Sequence, residues 1–259
     1  MSYSVGFSSV YDEYTLNVDY SAEADYIINI LEKAGVKGRC ILDAACGTGS
    51  LSVELLERGC EVIGVDISEE MLNIAREKTS EFGNRSLLLC QDLCELDLFG
   101  TVDCAVCMLD SLNHLDGINS VRKAIEKMFL FLEPGGVIIF DMNTPYKHQK
   151  VLADNTFVYE NENSFLVWQN ELCDDDVTVN IYLDIFVEDK DGRYNRFSED
   201  FSETAYSSDT IINLLKDTGF EDIRLFAEDG TPNIREDEQR CRFVAVKPEF
   251  YREKMQYNG

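Results

Sequence analysis

Two glycines and an acidic residue near the start of the chain have the types and the spacing to hold a nucleotide. Residues 41–68 read as strand, turn, helix and strand, with Gly47 and Gly49 in the turn and Asp66 at the end of the second strand. Glycine lets the backbone approach a ligand closely. A carboxylate placed here can accept hydrogen bonds from both hydroxyls of a ribose and would repel a 2′-phosphate. The spacing therefore predicts a site for a cofactor that carries an adenosine ribose.

Asp43 and Ser52 separate the candidate cofactors. The dinucleotide fingerprint has a third glycine where this chain has Ser52, and Asp43 ends the first strand close to where a pyrophosphate would bind. A carboxylate there opposes phosphate and favours a cation, which argues against an NAD-dependent oxidoreductase. S-adenosylmethionine has a ribose, an ammonium and a sulfonium but no phosphate, so it fits. The alternative for Asp43 is a helix or turn cap in a cofactor-free fold.

The elements that position these residues follow from apolar periodicity. Ile27, Ile30 and Leu31 share one face of a helix predicted over residues 21–34, with Ser21 as N-cap and Gly35 just beyond its end. Strands and helices then alternate, which predicts a parallel sheet with helices on both faces. Strands are expected at residues 40–45, 61–66, 87–90, 102–108 and 137–141, helices at 50–57, 69–78 and 118–131, an N-cap at Ser68, and a turn at 134–136.

The pattern changes from residue 157. Residues 177–187 alternate between two faces without a break, which predicts a half-buried antiparallel strand with partners on either side along the chain. A helix at residues 209–218 and strands at 223–226 and 242–246 then return to the core. An antiparallel insertion is therefore predicted to interrupt an α/β core near its end.

The predicted fold class is α/β: a doubly wound, Rossmann-like, mostly parallel seven-stranded sheet with helices on both faces, an antiparallel β insertion and an N-terminal helical cap. The expected division is an N-terminal cap at residues 1–38, a cofactor-binding core at 39–150, the insertion as a substrate lid at 151–206, a return to the core at 207–247, and a tail at 248–259.

Composition excludes several classes of partner. The 49 acidic and 23 basic residues give a formal charge of −26, which would repel a nucleic-acid backbone or an anionic membrane surface. The N-terminal residues lack the pattern of a secretion signal, and no apolar run is long enough to span a bilayer. Nine scattered cysteines suit a reducing compartment, so a cytoplasmic protein is expected. Cys104 and Cys107 would point to opposite faces of one strand, which predicts buried thiols and no metal site.

Five motifs give the sequence its likeness to a known family. They are DAACGTG at residues 43–49, VDIS at 65–68, QDL at 91–93, MLDSLNHL at 108–115 and LEPGGVIIFDMN at 132–143. Over about residues 11–247 the chain resembles the class I S-adenosylmethionine-dependent methyltransferases. YDEY near the start, DSLNHL and the insertion after FDMNTPYK make it most similar to the stand-alone bacterial YqeM-type proteins.

The resemblance implies S-adenosylmethionine as cofactor, with S-adenosylhomocysteine as product, and a set of contacts. Asp43 would lie near the amino-acid end, Asp66 would take the ribose hydroxyls, and Asp92 would accept from the adenine amino group. Met71 is also what an amphipathic core helix carries, and Asp92 is also a plausible turn residue. The full set implied to bind the cofactor is Asp43, Ala45, Cys46, Gly47, Thr48, Gly49, Asp66, Ile67, Met71, Gln91, Asp92, Leu93, Met108, Leu109 and Asp110.

The expected reaction is a direct in-line methyl transfer to a small-molecule acceptor. Such a site needs alignment and exclusion of water and no nucleophilic triad. His114, in the DSLNHL loop, is better placed than His148 to be a base, although a packing role is the alternative. The proteins that the chain resembles often carry a basic residue before AY, where this chain has Thr204, so an anion-binding role is not expected there. The residues expected to contact the acceptor are Tyr11, Tyr14, Tyr20, Asn113 and His114, and the alternative for the tyrosines is simple packing.

A second function class stays open in the sequence. The chain could be a cofactor-binding regulator or complex subunit with the methyltransferase fold and little activity. Intact DAACGTG and VDIS motifs fit both readings, and a product assay separates them. The acceptor, the atom that is methylated, and the oligomeric state, including a homodimer, are left open.

Overall fold

The computed structural model describes residues 5–249, so the predicted tail lies almost wholly outside the described residues. Its elements alternate as the sequence predicts, and an antiparallel block follows the fifth strand. The helices are α1 (Val5–Ser8), α2 (Tyr11–Tyr14), α3 (Tyr20–Ala34), α4 (Ser50–Glu57), α5 (Glu69–Thr79), α6 (Gly117–Phe131) and α7 (Ser208–Thr218). The strands are β1 (Cys40–Ala44), β2 (Glu61–Asp66), β3 (Ser86–Cys90), β4 (Val102–Cys107), β5 (Leu132–Asn143), β6 (Thr156–Glu160), β7 (Ser164–Leu172), β8 (Thr178–Glu188), β9 (Tyr194–Thr204), β10 (Glu221–Ala227) and β11 (Arg240–Val246).

The main sheet has seven strands in the order β10-β11-β5-β4-β1-β2-β3. Only β11 runs against its neighbours, since it pairs antiparallel with both β5 and β10. The predicted α/β class and mostly parallel sheet are confirmed. The chain winds outward in opposite directions from β1 and β4, so a crevice opens at their carboxyl ends, where such sheets bind ligands.

Two apolar clusters lie on opposite faces of this sheet and form its core. One contains the buried faces of α6 and α7, and the other those of α3 and α4. Cys107 belongs to the first cluster and Cys104 to the second, which confirms their predicted opposite directions. Burial raises the pKa of both thiols, so they act as small apolar side chains. No helix within residues 5–249 combines the length and apolar character needed to cross a bilayer.

The insertion forms a separate sheet in the order β6-β7-β8-β9 with antiparallel pairing throughout. The predicted alternation is confirmed, because Val179, Ile181, Leu183 and Ile185 of β8 are buried. These side chains form a third apolar cluster, which also contains Phe7 and Val10 from the N-terminal segment. This contact ties the N-terminal helices to the insertion.

Two predicted boundaries were wrong. Helix α3 is capped by Asp19, whose carboxylate accepts from the Ala22 amide at 2.9 Å, while the predicted cap, Ser21, lies inside the first turn and accepts from Arg58 at 2.8 Å. The predicted turn at residues 134–136 lies within β5, where the pairing register with β4 shifts between Val102 and Cys104. The additional residues of β5 form an irregularity in its pairing with β4, and the strand continues through them.

Candidate active site

Two cavities open at the carboxyl edge of the sheet. The β2-side cavity, about 310 Å³, lies at the ends of β1, β2 and β3, and its walls include Asp66 and Asp92. The insertion-side cavity, about 520 Å³, lies between β5, the N-terminal helices and the insertion, and its walls include Glu203 and Arg240. Three side chains line both cavities: Tyr11, Leu109 and His114. A narrow cleft of about 40 Å³ lies between Asp43, Gly47 and Tyr20.

The glycine turn after β1 depends on backbone conformations that favour glycine. Gly47 has φ +54°, and a Cβ there would point into open space beside the β2-side cavity. Gly49 has φ +76°, and a Cβ there would lie 2.9 Å from the Cβ of Ala75 on α5. Gly49 therefore allows two helices to pack closely, whereas Gly47 leaves room for a ligand.

Asp66 is held in place by the backbone around it. Its two carboxylate oxygens accept from the amides of Gly47 and Ser68, each at 2.8 Å. Burial raises the pKa of Asp66, and these amide donors act against that rise. The glycine turn and the end of β2 are thus joined by one carboxylate, which still faces the β2-side cavity.

Asp43 lies beneath the narrow cleft and is 2% exposed. Ser52 donates to it at 2.5 Å, so the residue in place of the third glycine supports the acidic residue of the turn. Burial raises the pKa of Asp43 to about 6, and the Ser52 hydroxyl acts in the opposite direction. A cation above Asp43 would favour its ionised form.

The turn after β4 is strained and is held by a second carboxylate. Leu109 and Asp110 have φ values of +57° and +52°, which are unusual for residues with side chains. Both amides donate to Asp141 at the end of β5, at 3.0 and 2.5 Å. Asp141 therefore fixes the backbone that presents Leu109 and Asp110 to the cavities.

Five side chains form a polar cluster beside the insertion-side cavity: Asp110, Asp141, Asn143, Glu203 and Arg240. All of them except the buried Asn143 line the cavity. Arg240 pairs with Asp110 at 2.7 Å and with Asp141 at 3.7 Å. The Asn143 amide donates to Asp110 at 2.7 Å and to Glu203 at 3.1 Å. Strands β5, β9 and β11 and the turn after β4 meet in this polar cluster.

Charged groups within and beside the polar cluster shift the pKa values of two of its carboxyl groups. Burial acts to raise the pKa of Asp110, but Arg240, Lys147 and His114 together outweigh burial and bring it to about 2. Burial raises the pKa of Glu203, and the nearby Asp110 adds to that rise while His114 opposes it. Asp110 is thus firmly ionised, and Glu203 holds a proton more readily than an ordinary glutamate.

Two histidines face Glu203. The His114 Nε2 atom lies 3.4 Å from one carboxylate oxygen, and its ring lies 5.1 Å from that of Phe201. The fully buried His148 places Nε2 3.8 Å from the other oxygen, while its Nδ1 lies 2.7 Å from the Val177 carbonyl. Burial lowers the pKa of His148, so the neutral ring donates from Nδ1 to that carbonyl and directs an Nε2 lone pair toward Glu203.

The N-terminal helices cover both cavities and are held at two points. Asp12 accepts from Thr48 in the glycine turn at 2.6 Å and pairs with Lys78 of α5 at 2.6 Å. Tyr14 donates to Ser164 of β7 at 2.9 Å. Tyr11, between these two points, contacts both cavities, and burial raises its pKa, so its phenol stays protonated.

The structure brings most of the predicted residues to these spaces. The β2-side cavity is lined by Ala45, Gly47, Asp66, Ile67, Met71, Gln91, Asp92, Leu93 and Leu109, and the narrow cleft by Asp43, Cys46, Thr48, Met108 and Tyr20. The insertion-side cavity is lined by Tyr11, Tyr14, Asp110 and His114. Gly49 shapes the turn without lining a cavity, and Asp92 also caps a short turn by accepting from Cys94 at 2.8 Å.

Asn113 lies elsewhere than expected. It is fully buried and lines neither cavity. Its side chain accepts from the backbone N–H of Asn143 at 3.0 Å and donates to the Thr204 carbonyl at 2.9 Å, so it fastens β5 to β9. Its position supports the polar cluster without facing the cavity.

Sequence reasoning missed four members of the polar cluster: Asp141, Asn143, Glu203 and Arg240. Asp141 and Asn143 end the motif LEPGGVIIFDMN, which predicts a strand and the family likeness but no contact by these two side chains. Glu203 carried a usable signal, because the alternation of β9 places it on the same face as Phe201. Arg240 begins the last strand, and nothing near it in the sequence marks a site.

Comparisons with known proteins agree with this geometry. The model of a methyltransferase domain matches residues 41–136. A protein named methyltransferase YqeM, from Bacillus subtilis (strain 168), is 35% identical over 243 residues, which are 93% of this chain and 96% of that protein. The crystal structure of an S-adenosylmethionine-dependent methyltransferase from Clostridium acetobutylicum ATCC 824 matches with a TM-score of 0.85 and 31% identity, covering 93% of this chain and 98% of the other. A glycine/sarcosine N-methyltransferase from Halorhodospira halochloris is 37% identical over 122 residues, which are 46% of this chain and 45% of that protein.

Proposed function

The chain belongs to the class I S-adenosylmethionine-dependent methyltransferases, and from this premise we propose that it methylates a small molecule held in the insertion-side cavity. Its cofactor is S-adenosylmethionine. The observation that carries the proposal is that Tyr11, Leu109 and His114 line both cavities. A methyl group at this boundary would face the acceptor directly.

The residues of the β2-side cavity fit the cofactor. Asp66 would accept from the ribose hydroxyls, since its carboxylate is already oriented by two amides. Gly47 leaves open the space that a side chain would fill. Ile67, Met71 and Leu93 would enclose the adenine, and Asp43 beneath the narrow cleft would favour the amino-acid ammonium. The bound cofactor supplies an activated methyl group on a sulfonium.

The protein contributes alignment and exclusion of water in the proposed mechanism. The turn at Leu109 and Asp110, which Asp141 fixes, would form the floor where the two cavities meet. Tyr11 would cover the same place from the opposite side. Direct in-line transfer needs the acceptor atom in line with the breaking bond, and such positioning can supply several kcal/mol. Because its phenol stays protonated, Tyr11 is not a base. His114, which lines both cavities, is a candidate for that role.

A small-molecule acceptor is supported by the size of the insertion-side cavity. Its volume of about 520 Å³ lies within the range of ligand pockets. We propose residues 151–206 as a substrate lid. Of the predicted N-terminal cap at residues 1–38, we propose that residues 5–38, which the structure describes, cover the core. The similar protein from Halorhodospira halochloris carries the name of an enzyme that methylates small amines. The nine cysteines are all free, which supports the proposed cytoplasmic location.

A methyl-transfer assay tests the proposal. The protein is incubated with S-[methyl-³H]-adenosylmethionine and, in separate reactions, small amines, phenols and carboxylic acids. We expect labelled product from at least one class and its loss in Asp66→Asn. If S-adenosylhomocysteine binds tightly, no class is labelled and a protein partner co-purifies, the regulatory-subunit alternative replaces this proposal.

A further inference from the structure

Three potential cation ligands converge on the wall of the insertion-side cavity. One ligand atom from each of Asp110, His114 and Glu203 lies within 4.8 Å of the other two. The proposed cofactor contacts involve only Asp110 of these three, and Glu203 comes from the insertion. We call these three residues the amine site.

A buried histidine beside the amine site has a ring nitrogen without a hydrogen-bond partner. His148 is fully buried, and its Nε2 atom has no hydrogen-bond partner within the described part of the chain. In the neutral ring that burial favours, Nδ1 donates to the Val177 carbonyl, and Nε2 is an acceptor 3.8 Å from the carboxylate of Glu203. Two acceptors that face each other indicate that the site takes up a proton or a hydrogen-bond donor.

The local charge count favours a cation with one charge. The buried or half-buried acidic groups around Glu203 are Asp110, Asp141 and Glu203 itself, and Arg240 and Lys147 are the basic groups against them. Glu228, 3.9 Å from Arg240, is 56% exposed and is solvated by water. One negative charge is left over, and it falls on Glu203, which is 4% exposed. A buried carboxylate without a full counter-charge is unfavourable. An ammonium group would balance it, whereas a divalent metal would leave excess positive charge beside Arg240. The titratable or charged groups facing Glu203 are His114, His148, Asp110, Lys147 and Arg240.

We infer that the amine site receives the ammonium group of a primary or secondary amine, and that Glu203 takes its proton before methyl transfer. This inference rests on the proposed function. The amine gives up one N–H proton to the Glu203 carboxylate, and its nitrogen lone pair then forms the new N–C bond. The C–S bond of the cofactor breaks, its electron pair stays on sulfur, and the methylated ammonium later loses a proton to water.

The pH dependence of the rate distinguishes this role from a structural one. An acceptor amine of pKa about 9 is mostly protonated at neutral pH, so the wild-type protein should show kcat/KM nearly constant between about pH 7 and 9. In Glu203→Gln only the free amine reacts, so kcat/KM should rise tenfold per pH unit and be lower by about a hundredfold at pH 7. Asp200→Asn, which removes a carboxylate from the exposed face of the same strand, is the matched control and should behave as wild type.

A binding experiment with small model ligands tests the amine site without knowledge of the natural acceptor. Protein saturated with S-adenosylhomocysteine is unfolded thermally with 50 mM ethylammonium, ethanol or acetate at constant ionic strength. Ethylammonium alone should raise the midpoint by roughly 2–4 °C for a dissociation constant near 10 mM, and Glu203→Gln or Asp110→Asn should abolish that rise.

Several outcomes would overturn the inference. The first is that ethylammonium does not stabilise the protein. The second is that phenols or acids are methylated and amines are not. The third is that Glu203→Gln has the same pH profile as the wild-type protein. Tight Mn²⁺ binding by electron paramagnetic resonance, lost in Glu203→Gln, would assign the site to a metal instead. Failure of S-adenosylhomocysteine to stabilise the protein would remove the proposed function itself, so the two failures are distinguishable.

Discussion

The β2-side and insertion-side cavities meet at Tyr11, yet their walls are built in different ways. Around the β2-side cavity, the key carboxylate is held by backbone amides two and 19 positions away in the chain. Around the insertion-side cavity, side chains such as Asp110 and Arg240 join across 130 positions. A backbone-based site tolerates changes in its surroundings, whereas a site of paired charges depends on every member. The difference predicts which substitutions affect folding and which affect only ligand binding.

The largest effect is expected from Arg240→Met. It leaves the buried carboxylates of Asp110 and Asp141 without their shared cation, which should lower the free energy of unfolding by about 3–5 kcal/mol. Chemical denaturation at pH 7 measures it. Arg224→Met, which removes the more exposed pair with Asp222, should cost about 1 kcal/mol or less. Equal losses in the two variants would show that the polar cluster is no more critical than a surface pair.

The difference between the cavities also explains how far the sequence could be interpreted. The capping of α5 by Ser68, the glycine turn and the acidic end of β2 were predicted because each depends on spacing within one short segment. The polar cluster was not, because β11 reaches β5 only after the insertion has returned to the core. The alternation of β9 places the charged Glu203 on the same face as Phe201, which indicates a polar site there. The sequence does not indicate its partners, because they come from other parts of the chain.

Asp66→Asn tests the other half of the comparison. An amide nitrogen cannot accept from a ribose hydroxyl, and loss of charge-assisted hydrogen bonds should weaken S-adenosylhomocysteine binding by about a hundredfold. Because one of the two backbone amides also loses its acceptor, the free energy of unfolding should fall by about 1–2 kcal/mol. Isothermal titration calorimetry measures the affinity. Asp92→Asn should weaken it by about fivefold or less, because that carboxylate is exposed and solvated. Identical losses for the two variants would contradict the assigned ribose contact.

The pH dependence of cofactor binding should report Asp43. Its pKa is raised to about 6, so it is ionised at pH 8 and becomes neutral as the pH falls through 6. If the ionised form holds the amino-acid ammonium, the affinity for S-adenosylhomocysteine should fall about tenfold between pH 8 and pH 5. Asp43→Asn should bind more weakly at pH 8 and lose this dependence. An unchanged slope in the variant would assign the titration to another group.

The smallest effect is expected at the contact that holds the N-terminal helices over both cavities. Asp12→Asn weakens the pairing with Lys78, which is partly exposed, so S-adenosylhomocysteine should dissociate about two- to fivefold faster. Stopped-flow displacement measures the rate. Glu32→Gln, which breaks a surface pair with Arg39 away from the cavities, is the control and should leave the rate unchanged. A rate unaffected by Asp12→Asn would show that the helices do not limit release.

The most direct test of the central claim is thermal unfolding with S-adenosylhomocysteine and, separately, with NAD. A ligand at a hundred times its dissociation constant adds about 2.7 kcal/mol, which for a chain of this size raises the midpoint by roughly 5–10 °C. We predict that rise with S-adenosylhomocysteine and none with NAD. A rise with NAD alone, or no rise with S-adenosylhomocysteine, would contradict the assignment of the β2-side cavity to the methyl donor.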